Sequence, residues 1–151
     1  MAGAPVPDRI RQAVQLLEIG PHDEVLEIGC GPGVAASLVC EQLRTGHLTA
    51  IDRSATAIGR AAGRNAQHVE SGRLELLQVD LAGLQAPGRR FDKIFAVNVN
   101  LFWVRAADLE LQVVTDALRP DGTLYLFYEA PSREKAGQVA ATISAGLTAY
   151  G

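Results

Sequence analysis

Between residues 24 and 129 the chain alternates short β-forming runs with stretches of helical period, and this alternation restricts the fold more than any other feature. The runs are EVLEI at 24–28, HLTAID at 47–52, RLELLQV at 73–79, FDKIFAV at 91–97 and TLYLFYE at 123–129. Between them, residues 34–44 read as a helix ending before Gly46, and Ser54 caps another that runs toward Val69. Leu111, Val114 and Leu118 stand at helical spacing ahead of the turn Arg119-Pro120-Asp121-Gly122. Only AGLQAPGRR, 82–90, is too rich in Gly and Pro for a full helix. A first helix opens at Pro7 and Asp8, with Ile10, Ala13, Val14 and Leu17 on its apolar side and Gly20-Pro21 as its stop; a last one runs from Ser132 through Val139, Ile143 and Leu147. Parallel strands need crossovers, and crossovers of this kind are right-handed helices. The expected fold is therefore α/β, a doubly wound and mostly parallel sheet of five strands covered on both faces.

A length of 151 residues with 48% hydrophobic composition supports one domain with a real core and not two. There is no internal repeat, low-complexity tract or separating linker, so residues 1–151 read as a single domain. The net charge of -3 and the scattered arginines leave no basic footprint, which argues against a nucleic-acid partner. Cys30 and Cys40 have neither metal-ligand spacing nor disulfide-scaffold density, so free thiols in a reducing compartment and no metal are expected. MAGAPVPDRI lacks the apolar core of a signal peptide, and no apolar run approaches the roughly 20 residues of a membrane helix. A cytoplasmic chain without a membrane partner is the expectation.

In doubly wound sheets ligands bind outside the carboxyl ends of the strands. Glu27 and Gly29 end the first strand, Asp52 the second, Asp80 the third and Asn98 the fourth, four polar strand ends in register. Gly29-Cys30-Gly31-Pro32-Gly33 lets backbone approach a ligand with no Cβ in the way. The dinucleotide fingerprint would place its third glycine at 34, where this chain has Val34. Glu27 argues the same way: beside a pyrophosphate its carboxylate would be repelled by about a few kcal/mol in a partly desolvated site, whereas a ligand ammonium would attract it. Asp52, with the adjoining Arg53, stands where ribose hydroxyls can donate to a carboxylate, a feature that fits NAD equally well. Asp80 adds an acceptor for an adenine amino hydrogen, and the Leu81 amide can meet a ring nitrogen.

The ordered set E-I-G-C-G-P-G, a later strand-end Asp, Q-V-D, F-D-x-I and L-R-P-D-G-T-L, spanning about residues 24–130, resembles class I S-adenosylmethionine-dependent methyltransferases. The resemblance implies S-adenosylmethionine as cofactor, with Glu27, Gly29, Cys30, Gly31 and Gly33 around its methionine part, Asp52 and Arg53 at the ribose, Asp80 and Leu81 at adenine, and main chain at Asn98 meeting the amine. It also implies methyl transfer to a small-molecule acceptor. The family's Asn-Pro-Pro-aromatic motif is missing, since the chain reads Asn98-Val99-Asn100-Leu101, which argues against nucleobase or glutamine amino groups as acceptors. The alternatives are a noncatalytic S-adenosylmethionine-binding module and a nicotinamide-dependent oxidoreductase, the latter disfavoured by Val34, Glu27 and the lack of a Tyr-x-x-x-Lys pair.

A sulfonium is already an excellent leaving group, so in-line displacement chiefly requires the acceptor to be positioned, and no catalytic residue stands out. His22, His47 and His68 read as surface residues, Asp92 as structural and Cys30 as a small packing group. Phe102 and Trp103, just past the fourth strand, suit an acceptor wall or the core equally. The resemblance implies a sheet of seven strands closed by an antiparallel hairpin for which no sequence remains after the last expected helix. The chain is therefore expected to be C-terminally truncated, with the fifth strand as an open apolar edge through which it forms a homo-oligomer or takes a partner strand.

Overall fold

A computed structural model describes residues 6–85, 91–99, 108–129 and 138–144. The elements are α1 (Asp8–Leu17), β1 (Glu24–Ile28), α2 (Val34–Gln42), β2 (His47–Asp52), α3 (Ala55–Arg64), α4 (Ala66–Glu70), β3 (Leu74–Gln78), a 3-10 turn (Leu81–Gly83), β4 (Phe91–Val97), α5 (Asp108–Ala117), β5 (Leu118–Glu129) and β6 (Gln138–Ser144). They build one sheet of order β3-β2-β1-β4-β5-β6, in which the first five strands run parallel and β6 antiparallel to β5. The chain starts in the middle, winds outward to β3, then crosses to β4, so the reversal of direction falls between β1 and β4.

Side chains alternate across each strand and divide the core in two. On one face Val25, Leu48, Ala50, Phe95 and Phe127 pack beneath α1, α2 and α3, with Tyr125 at its margin. On the other, Leu26, Ile28, Ile51, Ile94, Leu124 and Leu126 pack with Val114 and Ala117 of α5. Both faces are apolar because both are covered, as a parallel sheet requires. Among the described residues no helix is long and apolar enough to cross a membrane.

The doubly wound parallel sheet is as expected; three local expectations are corrected. Residues 138–144 are strand rather than helix, paired with β5 from Thr123↔Ser144 to Glu129↔Gln138. Val139 and Ile143 are four apart, a separation that keeps one face in a helix and equally in a strand, and the β-branched Val139, Thr142 and Ile143 favour the strand. The fifth strand is consequently not an edge, and the sheet has an antiparallel pair where none was expected; self-association through an open β5 edge is set aside. The helix after Ser54 breaks at Asn65 into α3 and α4. Arg119-Pro120-Asp121-Gly122 does not precede β5 but bulges from within it: Phe91 pairs with Leu118 and Lys93 with Thr123.

The ends of the strands opposite the glycine loop are tied by polar contacts. Lys93 Nζ donates to the Glu18 carbonyl at 2.6 Å and to Asp23 Oδ2 at 2.8 Å. Asp92 Oδ2 accepts the Glu24 N–H at 2.8 Å and its Oδ1 faces Arg119 Nε at 3.3 Å, the structural role read from its position. Gly46 enters β2 so closely against the preceding loop that a Cβ would lie 2.1 Å from the Asp23 carbonyl oxygen, whereas a Cβ on Gly59, inside α3, would meet nothing within 4 Å. Gly46→Ala should therefore lower the unfolding free energy by about 1–3 kcal/mol or more, since backbone must move, and Gly59→Ala should raise it by up to about 1 kcal/mol. Equal effects of the two in urea titrations would contradict this packing.

Candidate functional site

The chain leaves β1 and turns at once into the glycine segment, where Gly29, Gly31 and Gly33 adopt φ of 72°, 54° and 87°. These are left-handed conformations that side chains resist. The segment is pinned to the end of β2: Gly29 and Cys30 N–H donate to the Ile51 carbonyl at 2.8 and 3.0 Å. Gly31 N–H donates to Asp52 Oδ2 at 2.9 Å, and Asp52 Oδ1 accepts Ser54 N–H at 2.9 Å.

What a side chain would meet separates the three glycines. A Cβ at Gly29 would lie 2.7 Å from Val99 Cγ2, one at Gly33 would lie 2.7 Å from Asn65 Nδ2 and 2.9 Å from Ala61 Cβ, and one at Gly31 would meet nothing within 4 Å. Gly29 and Gly33 are thus required by packing, while Gly31 borders open space that a Cβ would occupy. Behind it α2 begins at Gly33 with no side-chain cap and no acid in its first turn, so its N-terminal amides and positive dipole end carry no protein anion.

Glu27 lies on the sheet face beneath this segment. Its register partners are Ala50 and Phe95, and Asp52, two residues beyond Ala50, leaves β2 on the same face. Glu27 is 3% exposed and its Oε1 has no hydrogen-bond partner among the described residues. Burial first, then the charge of Asp52, push its carboxyl from 4.5 up to about 8. The neighbouring Cys30 thiol is pushed to about 12 by burial and by Glu27. Cys30 is buried and its thiol is held in the protonated form, which suits a packing group.

The remaining site residues lie along the same rim. Val79 N–H donates to the Asp52 carbonyl at 3.0 Å, which sets Asp80 beside the end of β2. Asp80 Oδ1 accepts Gly83 N–H at 2.8 Å and so shapes the 3-10 turn, with Leu81 buried under it. Asn98, at the end of β4, has φ of 55° and donates its N–H to the Phe127 carbonyl at 2.7 Å. The next residue, Val99, covers Gly29. Glu27, Gly29, Cys30, Gly31, Gly33, Asp52, Asp80, Leu81 and Asn98 thus gather where strand order reverses, with Arg53 exposed beside Asp52. Phe102 and Trp103 lie outside the described residues. His47 pairs with Glu24 at 2.8 Å and His22 with the Thr45 hydroxyl, both far from this rim; no catalytic histidine is brought to the site. One residue the sequence reading missed is Asn65, buried behind the glycines; its signal was an Asn within an expected helix, where its amide competes with the backbone.

A carboxyl whose pKa folding raises favours the folded state below its unfolded value, and that contribution is lost as pH rises through the folded value. Wild-type stability should therefore carry a loss between pH 4.5 and about 8 that Glu27→Gln lacks. In thermal melts across that window the Tm advantage of Glu27→Gln should grow with pH. An advantage that stays constant would show that Glu27 ionises in the folded chain as it does in the unfolded one.

Residues 25–122 match the family model of a methyltransferase domain. A trans-aconitate 2-methyltransferase from Streptomyces avermitilis is 33% identical over 106 residues, covering 69% of this chain and 39% of its own length. A fatty-acid O-methyltransferase from Mycolicibacterium smegmatis is 33% identical over 109 residues, covering 72% and 38%. The chain thus spans about two-fifths of the length of these relatives. The O-methyltransferase of a trans-AT PKS multienzyme from Brevibacillus brevis, solved with S-adenosyl-L-homocysteine, superposes with a TM-score of 0.67 at 16% identity, covering 87% of this chain and 47% of that one, a likeness of fold. The matched span includes the glycine segment and the acids and Asn98 that ring it, and on that span the chain belongs to the methyltransferase domain family.

Proposed function

We propose that this domain binds S-adenosylmethionine along the rim and directs its methyl group to a small-molecule acceptor. The observation that carries the cofactor is Glu27: a buried carboxyl with an unpartnered oxygen, next to the open space at Gly31. A ligand ammonium beside Glu27 would satisfy that oxygen, and a ligand carboxylate at the uncapped start of α2 would take up its free amides. One end of the site is thus suited to an amino-acid zwitterion. Asp52 and Asp80 each keep acceptor capacity beyond the single amide hydrogen that each described carboxylate oxygen receives, enough for ribose hydroxyls and an adenine amino group. A dinucleotide would set its pyrophosphate against Glu27 instead.

When bound, S-adenosylmethionine supplies a methyl group on a sulfonium that leaves without acid assistance. The chain's own residues then have to hold that group, exclude water and position the acceptor. The relatives named for trans-aconitate and for a fatty acid both point to carboxylic acids, which are ionised at neutral pH. By that likeness, a carboxylate oxygen is the acceptor atom proposed here.

Calorimetry with S-adenosylhomocysteine should show binding, and NADH none. Gly31→Val should cost stability, because φ of 54° resists a β-branched side chain, but it meets no protein atom, and the folded fraction should lose binding by well over tenfold. Asp52→Ala should weaken binding by about tenfold, one hydrogen bond to a charged group or more, while Asp92→Ala leaves affinity unchanged. Labelled methyl transfer across a panel of carboxylic acids, alcohols and amines should single out the acids. Binding of NADH in place of S-adenosylhomocysteine would overturn the cofactor, and transfer to amines alone would overturn the acceptor.

A further inference from the structure

The glycine segment is held on the side away from Gly31 by a buried polar cluster. Asn65, 2% exposed, donates from Nδ2 to the Gly33 carbonyl and to the Ala61 carbonyl, each at 3.1 Å. Its Oδ1 accepts the Ser37 hydroxyl at 2.6 Å. A hydroxyl has one hydrogen, and the shorter contact takes it. The amide orientation is therefore dictated: two carbonyls face the nitrogen and one donor faces the oxygen. The Gly33 carbonyl also accepts Ser37 N–H at 3.1 Å, so both of its lone pairs are filled, one by the start of α2 and one by Asn65.

Asn65 stands at the break between α3 and α4, and the break is what lets its side chain turn inward. The approach is close: the Gly33 α-carbon leaves no room for a Cβ against Asn65 and Ala61. On the opposite flank Asp52 holds Gly31 N–H. The segment is clamped from both sides, with Gly31 between the clamps facing open space.

We propose that Asn65, together with Ser37, is a positioning residue that fixes Gly33 and the first turn of α2 in the conformation the cofactor requires, so that this buried cluster sets cofactor affinity without touching the cofactor. The inference rests on the reading of the rim as an S-adenosylmethionine site. The expected signature is an affinity loss out of proportion to any loss of stability, because an unclamped loop must be ordered at each binding event. A cluster that only stabilises the fold would change affinity no more than any other substitution with the same melting shift.

The test compares S-adenosylhomocysteine affinity, by calorimetry well below each melting temperature, with the melting temperature itself for the full chain. Variants are Asn65→Ala, Ser37→Ala and Ser37→Thr, with Val114→Ala in the opposite core as the control of matched stability. Asn65→Ala should lose about tenfold or more in affinity and Ser37→Ala several-fold, Ser37→Thr should restore wild-type binding by returning the hydroxyl, and Val114→Ala should bind as wild type does. If Asn65→Ala does not fold, Ser37→Ala against Ser37→Thr carries the comparison alone. A binding wild type with unchanged affinity in Ser37→Ala and in any folded Asn65→Ala, or an equal loss in Val114→Ala, overturns the inference alone. A wild type that binds no S-adenosylhomocysteine overturns the reading of the site and the inference with it.

Discussion

Glu27 sits in a sheet face whose neighbouring positions are Val25, Ala50 and Phe95, and a charge there is costly unless something compensates it. No described side chain donates to its Oε1. Burial and the charge of Asp52 push its carboxyl up to about 8, which favours the protonated form at neutral pH. Apolar side chains around it raise the energy of the free charge, and Asp52 raises it further. The glycine segment, the uncapped start of α2 and the rim of strand ends lie around it.

The rim depends on different physical reasons for residues that look alike in sequence. Gly29 is small because Val99 crosses it and Gly33 because Asn65 and Ala61 press against it, while Gly31 meets open space and is held to glycine by its φ of 54°. Strand-end acids differ in the same way. Asp52 fixes two backbone amides, Asp80 closes a 3-10 turn, and Asp92, at the far end, ties β1 and β5 to β4. Asp52 and Asp80 each have a structural duty at the rim and keep acceptor capacity beyond it.

Much of this is legible in the sequence. Covered parallel strands must be apolar on both faces, so their runs and the crossovers between them stand out, and the reversal point follows from the topology. Less legible was whatever depends on long-range partners. The pattern at Val139 and Ile143 satisfies helix and strand alike, and pairing with β5 decides it. Asn65 reads as an ordinary polar residue of a helix until Gly33 is brought against it. Arg119-Pro120-Asp121-Gly122 carries turn chemistry, but whether it precedes a strand or bulges from within one is set by the register with β4.

The central claim is that cofactor binding turns a neutral buried Glu27 into a charged partner of the ligand ammonium. Calorimetry of S-adenosylhomocysteine in buffers of differing ionisation enthalpy measures that event as protons exchanged. With the free carboxyl near 8, about one proton per site should be released on binding at pH 7, and Glu27→Gln should release none. Binding by the wild type with no proton release, or with the same release in Glu27→Gln, would contradict the account.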